Sequence, residues 1–464
     1  MLRKSLWTLF FLLTLLLATC THQTIEPTSD VQTRDRPLTI WWNQGYFSQE
    51  NQSIETIVAD WHQKSNIPVN LEIISEDDID KLTIAALKAG NPPDLVFSMR
   101  TDSALTERWA WDGKLADVSD VLEPLQDLYN PTALNSVYMY NKKLKKFAYY
   151  AIPFKQSSVH LHYWRDLLAE AGFTTANIPQ EWDAFWQFWQ QVQDSLQAQG
   201  KKVYGLALPM GTEATNDTFY GFEQFLEAYN VKLLDEKGQL QLDNPEVRQG
   251  LINTLEWVTR FYQEGYVPPE SINWRGSDNN IAFLNKTAIL VDNTTMSIPA
   301  SQQKDKDIYF NQMATTEFPE KPNGEPMTYL VAIKQILLFD ESQHQQAAQD
   351  FLSYFLQPEI LTDYFQNAAG RWYPVMPILW RDAFWRDSVD PHVSVAAKQL
   401  RDNPTRPLNR VINPAYSEVH RENIWGQTME RIVVDGLSPE AAADEAIEKI
   451  ETIFAQWGEL NSSR

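Results

Sequence analysis

Apolar residues recur along this chain in two rhythms. The run LTIWW at 38–42 is apolar and strand-like, while Ile54, Ile57, Val58 and Trp61 fall at i, i+3, i+4 and i+7 and predict a helix opened by Ser53. Val69, Leu71 and Ile73 alternate as in a strand, DIDKLTIAALKAG predicts a helix ending at Gly90, and PDLVFS predicts a buried strand. This β-α-β-α-β order implies a parallel sheet with right-handed crossovers. In such sheets ligands bind beyond the carboxyl ends of the strands, here near 43–47 and 98–102.

A second series starts after YAIPF. Trp182, Phe185, Trp189, Val192 and Leu196 mark a long amphipathic helix closed by Gly200, and KVYGLALPM follows as a strand, which predicts a second α/β lobe. LDEKGQLQLDNPEVRQGLINTLEWVTRFYQEG reads as a hairpin and then a helix. AFLNKTAILVDN reads as a helix end running into a strand. Near the carboxyl end Ser438 and Pro439 open a helix that places Ala443, Ile447, Ile450, Phe454 and Trp457 on one face. There is no internal repeat and no low-complexity tract.

The amino end carries different information. Arg3 and Lys4, the apolar run from Leu6 to Leu17 and small residues before Cys20 form an export signal, too short to cross a membrane comfortably as a helix. Leu17, Ala18, Thr19 and Cys20 resemble the lipobox of bacterial lipoproteins, where the signal is cut before a cysteine that takes up diacylglycerol; Thr19 stands where Gly or Ala is usual. Cys20 is the one cysteine of 464 residues, so intramolecular disulfides are excluded. The polar stretch after it suits a flexible tether. A net charge of -22 with no basic run argues against nucleic acid or anionic lipid as partners. Seventeen Trp, 18 Tyr and 22 Phe exceed what core packing usually demands, and flat apolar rings suit a sugar-binding cleft.

Seven segments, in this order, resemble the extracellular solute-binding proteins of ABC importers, in the group that includes maltose-binding protein. They are KLTIAALKAGNPPDLVFS, YAIPFKQSSVHLHYWRDLLAEAGF, IPQEWDAFWQFWQQVQ, LDEKGQLQLDNPEV, AFLNKTAILVDN, AAQDFLSYFLQPEILTDYFQNAAGRWYPVMP and DGLSPEAAADEAIEKI. The resemblance implies a two-lobed, hinged periplasmic-binding-protein-like fold of type II, each lobe a mostly parallel sheet flanked by helices. The organisation expected is a signal peptide at 1–19, a lipid-anchored tether at 20–37, lobe 1 at 38–155 and 328–380, and lobe 2 at 156–327 and 381–464. The implied protein is an exported, membrane-anchored monomer that closes on a sugar or oligosaccharide and delivers it to the transmembrane subunits of a permease. It needs no catalysis, cofactor or metal. The alternatives are a secreted carbohydrate-active enzyme, which would need paired acids across its cleft, and a lipoprotein signalling to a membrane receptor.

Candidate ligand contacts follow from these loops. Trp42 and Tyr46 flank the turn after the first strand, and Arg100 and Asp102 follow PDLVFS; in the sugar-binding relatives both loops line the cleft. By the same resemblance Tyr220 and Trp425 fall near stacking positions of the second lobe, and Trp274 lies in a stretch bordering the cleft. Asn293 ends a strand where relatives continue with an aromatic residue, here replaced by Thr294 and Thr295. Arg371 and Trp372 occupy a loop near the hinge. His160 and His162 share a strand face but lack a third ligand, so a structural role is expected. SEDDID at 75–80 reads as a solvated helix start, and DEKGQLQLD as a hairpin turn without calcium-loop spacing.

Overall fold

The computed structural model describes residues 36–387 and 389–457. The signal expected at 1–19, Cys20 and nearly all of the tether lie outside the described residues. Three apolar runs open the fold: β1 (Leu38–Asn43), β2 (Val69–Ile74) and β3 (Leu95–Phe97). They pair in parallel, with Ile40 beside both Leu71 and Leu95. Helices Ser48–Ser65 and Glu76–Lys88 carry the chain back between them, as parallel pairing demands. The first helix begins at Ser48 and not at Ser53, because its opening turn is polar and offers no apolar period to read; Ser53 and Glu50 are buried within it. Gly90 ends the second in the left-handed region, at φ 69°.

A hairpin of β4 (Tyr138–Asn141) and β5 (Lys146–Tyr149) leads to β6 (Ile152–Ser157), which runs almost straight on into β7 (His160–Trp164). The first of these belongs to one sheet and the second to another, so the chain crosses at Ser158 and Val159. The second sheet adds β8 (Tyr204–Ala207), β9 (Ala288–Asn293) and β10 (Met313–Thr316), in the order β10-β7-β9-β8. Then β11 (Tyr329–Leu338) returns to lie between β3 and β6, β12 (Tyr373–Pro374) edges β6, and β13 (Thr405–Pro407) pairs with Tyr329–Val331.

Both sheets are mixed, where mostly parallel ones were expected. Because β6 leaves the first lobe and β11 comes back, the two run opposite ways, and β11 also opposes β3. In the second sheet β9 is antiparallel to β7, and only β8 and β9 are parallel.

Each sheet has its own apolar core. In the first, Trp42, Phe97, Phe154 and Phe355 meet edge to face or tilted, with centroids 4.7–5.8 Å apart. In the second, Trp182, Trp186 and Trp257 pack together with Phe225. Much of the aromatic load is therefore core. The helix Pro439–Trp457 buries Ala443 and Ile450 in the second core, as its spacing predicts, while Trp385, Val393, Ala396 and Ala397 pack into the first.

Candidate functional site

The carboxyl ends of β1, β2, β3 and β9 converge on a cavity of about 710 Å³ between the lobes. One wall takes Tyr46 from the turn after β1, Glu76 and Asp77 from the start of helix Glu76–Lys88, Arg100 from the turn after β3, and Arg371. The other takes the turn 213–217, the segment 275–280 and Asn293 to Ser297 beyond β9. This is where topology places ligands in open α/β sheets.

On the first wall one buried carboxylate organises three groups. Glu50 accepts from Arg371 Nη1 at 2.7 Å, from Trp372 Nε1 at 3.0 Å and from the Tyr46 amide at 3.1 Å. Its place in the first turn of its helix fixes the loop that carries Tyr46. The Arg371 guanidinium then lies 5.4 Å from the Tyr46 ring. Lys155, fully buried, sits 4.2 Å from the centre of the Trp372 ring and donates to Tyr364 Oη at 2.9 Å; burial holds its amine well below the usual lysine range. Arg100 pairs with Glu76 at 3.3 Å and with Asp77 at 3.6 Å.

On the second wall Asn293 bonds to Asn280 and accepts from the Thr295 amide at 2.9 Å, and Asn280 donates to Ser297 Oγ at 3.1 Å. Asp217 accepts from Thr294 Oγ1 at 2.7 Å, and burial pushes its carboxyl up to about 6. Behind it the buried Asp292, with Oδ1 unpartnered among the described residues, is pushed well above the carboxylate range by burial and by Asp217. A Cβ on Gly221 would stand 2.5 Å from Asp292 Oδ2, so any larger residue there would have to displace the buried Asp292 carboxyl for the helix Asn216–Ala228 to lie this close to β9.

Of the residues singled out by sequence, Tyr46, Arg100, Asn293 and Arg371 line this cavity. Trp42 does not: it points into the first core, on the same face of β1 as Leu38 and Ile40. Trp372 is fully buried behind Arg371, and Trp425 and Trp274 are buried in the second core, Trp425 against Phe222 at 5.2 Å. Asp102 is closed off by Lys334 Nζ at 3.0 Å and Arg410 Nη2 at 2.8 Å, with the Tyr220 ring beside both cations. Its oxygens are thus taken by a buried ion-pair cluster. His160 and His162 are buried and bonded to Gln399 at 3.1 Å and Thr315 at 2.9 Å. Burial holds both imidazoles neutral.

Glu76 and Asp77 are solvated, as read from sequence, and belong to the cavity wall as well. The strand-end rule applied to β1 and β3 holds for β2 as well, and would have found them. The 213–217 turn, which opens helix Asn216–Ala228, had no comparable signal, while Asp278 lies in the stretch around Trp274 that the resemblance placed along the cleft.

Comparison with known proteins agrees with this architecture. The bacterial extracellular solute-binding protein family matches residues 56–389. The multiple sugar-binding protein of Streptococcus mutans is 21% identical over 389 residues, covering 81% of this chain and 80% of its own length. Among solved structures, an ABC transporter solute-binding protein of Thermotoga lettingae bound with α-D-tagatose is similar with a TM-score of 0.71 at 18% identity, over 90% of this chain and 99% of that one. The maltose-maltodextrin binding protein of Alicyclobacillus acidocaldarius gives 0.66 at 19%, over 90% and 100%. The fold is that of the type II periplasmic binding proteins. Since the family match runs from the first helix past β12 and takes in both sheets and both cavity walls, the chain belongs to the bacterial extracellular solute-binding protein family.

Proposed function

We propose that this protein is the substrate-binding subunit of an ABC importer, which takes a sugar or oligosaccharide between its lobes and hands it to the transmembrane subunits of a permease. In this reading it is exported and held to the membrane by lipid on Cys20, facing the periplasm or the cell exterior. The observation that carries the reading is the interlobe cavity, with donors and acceptors on both walls. A ligand that bonds both walls gains its full contacts only when they approach, and that differential affinity closes the hinge. Carboxylates, guanidinium groups and amides are interspersed around the cavity, which suits a neutral ligand rich in hydroxyls better than an anion. Tyr46 is the aromatic residue on the lining, so recognition here is mainly polar. The ligands of the Thermotoga and Alicyclobacillus proteins, α-D-tagatose and maltodextrins, are of this class.

A thermal-shift screen over tagatose, maltose and laminaribiose tests it, because a ligand of the folded state at about 100 times its Kd stabilises by about 2.7 kcal/mol. A clear rise with at least one sugar is expected. A rise with amino acids or phosphate esters alone would sink the sugar reading.

A further inference from the structure

The seam between the lobes holds a second cavity, of about 400 Å³. It lies at the other end of segment 99–111: Met99 and Arg100 line the first cavity, Glu107 and Trp111 the second. Between them stands the buried Asp102 with its partners Lys334 and Arg410. The cavities are therefore separate, and one molecule does not extend through both.

The second cavity has the rings that the first lacks. Trp111, Tyr140 and Phe147 line it, with Tyr140 placed 5.6 Å from Trp111 and 4.9 Å from Phe147. Glu107 and Arg410 line it too, only 4% and 3% exposed. Neither oxygen of Glu107 has a hydrogen-bond partner among the described residues, nor has Arg410 Nε; the two groups meet only as a loose ion pair at 3.7 Å, beyond hydrogen-bond reach. Buried polar groups are ordinarily satisfied, so an acceptor and a donor left open on one cavity call for a ligand offering both. Burial pushes the Glu107 carboxyl up to about 8, so near neutrality it can donate as well as accept. Glu236 offsets Lys237, and Arg410 is paired with the buried Asp102, which selects neither an anion nor a cation. Flat apolar faces beside a paired donor and acceptor match a sugar ring, and the volume lies within the range of small-molecule sites.

We propose that this cavity is a second ligand site, for a neutral mono- or disaccharide, distinct from the first. It rests on no assumption about what the first cavity binds. Its lining comes from both lobes, through segment 107–147 on one side and residues 236–237 and 410–414 on the other, so its occupancy is coupled to the hinge and to affinity at the first site.

Native mass spectrometry of the full chain, titrated with glucose, maltose and laminaribiose, counts bound molecules. Two binding events are expected for at least one sugar. Glu107→Gln and Trp111→Ala should each weaken one of them by about tenfold or more, and Asp217→Ala should weaken the other. Glu107→Gln keeps the shape of the side chain and fixes one of its two oxygens as a donor nitrogen, so its unliganded melting temperature should not fall below wild type, which separates lost binding from lost folding. One event that depends on Glu107 with none that depends on Asp217 would support this site and count against the sugar reading of the first. No event weakened by either Glu107→Gln or Trp111→Ala overturns the proposal.

Discussion

Glu50 shows how one side chain can decide what its neighbours do. It holds Arg371, Trp372 and the Tyr46 amide together, and Arg371 is itself buried. Glu50→Ala should therefore cost about 3–5 kcal/mol in urea unfolding, because it leaves a buried cation uncompensated. Trp372→Ala should behave as a core truncation, losing about 3–5 kcal/mol of stability, since the ring is wholly buried and reaches no cavity wall. Tyr46→Ala, from a residue 38% exposed at the cavity, should change stability little and weaken sugar binding by about 1–3 kcal/mol in calorimetry. Asp217 gives a pH signature. Its carboxyl rises from 3.8 to about 6 in the folded state, so the neutral form is favoured by folding. The resulting stability is present in full below the unfolded value and is lost as pH climbs through about 6. The stability difference between wild type and Asp217→Asn should accordingly fall between about pH 4 and 6 and stay flat above; an unchanging difference would contradict it.

At the scale of elements, strand ends and helix starts build the site. The rule that ligands sit beyond carboxyl ends located Tyr46 and Arg100 from sequence, because the apolar runs of β1 and β3 are unmistakable. It failed to locate Glu76 and Asp77 because acids at a helix start have a sufficient local reason to be there, favouring the dipole, and hide a second role. Trp42 and Trp425, expected at the ligand, are core instead: Trp42 shares its face of β1 with Leu38 and Ile40, and Trp425 shares its helix face with Met429 and Ile432. Gly221 tests the contact between helix Asn216–Ala228 and β9. Gly221→Ala would drive its methyl against Asp292 and should destabilise by about 1–3 kcal/mol in thermal unfolding, despite the better helix propensity of Ala. A stabilised variant would show that Asp292 moves aside freely.

For the whole molecule, the chain crosses between two separate cores at Ser158–Val159 and again at the start of β11, whose Tyr329 and Leu330 lie in the second core and Ile333 in the first. Two independent cores on a few crossing strands are what hinge motion requires. Saturating sugar should shrink the radius of gyration in small-angle scattering, and an unchanged profile would mean a rigid, preformed cavity. Cys20→Ser should move the protein from the membrane fraction to the soluble one. Its retention on membranes, with no lipid on the wild-type chain, would overturn the anchor.

The sequence by itself determined the class of the fold and the order of its elements, since amphipathic helices and apolar strands are written at short range, in periods of three to four and of two. It also supplied four residues of the cavity wall, Tyr46 and Arg100 through the rule of strand ends and Asn293 and Arg371 through the resemblance to the family. Only the tertiary structure decided which aromatic rings face the cleft. A ring in a turn has no period to betray its direction, and Trp372 is turned inward by a carboxylate 322 positions away in sequence. The direction of the crossing strands, the closure of Asp102 by Lys334 and Arg410, and the open pair of Glu107 and Arg410 are likewise contacts between distant segments. They arise from how two lobes meet, and no local pattern encodes that.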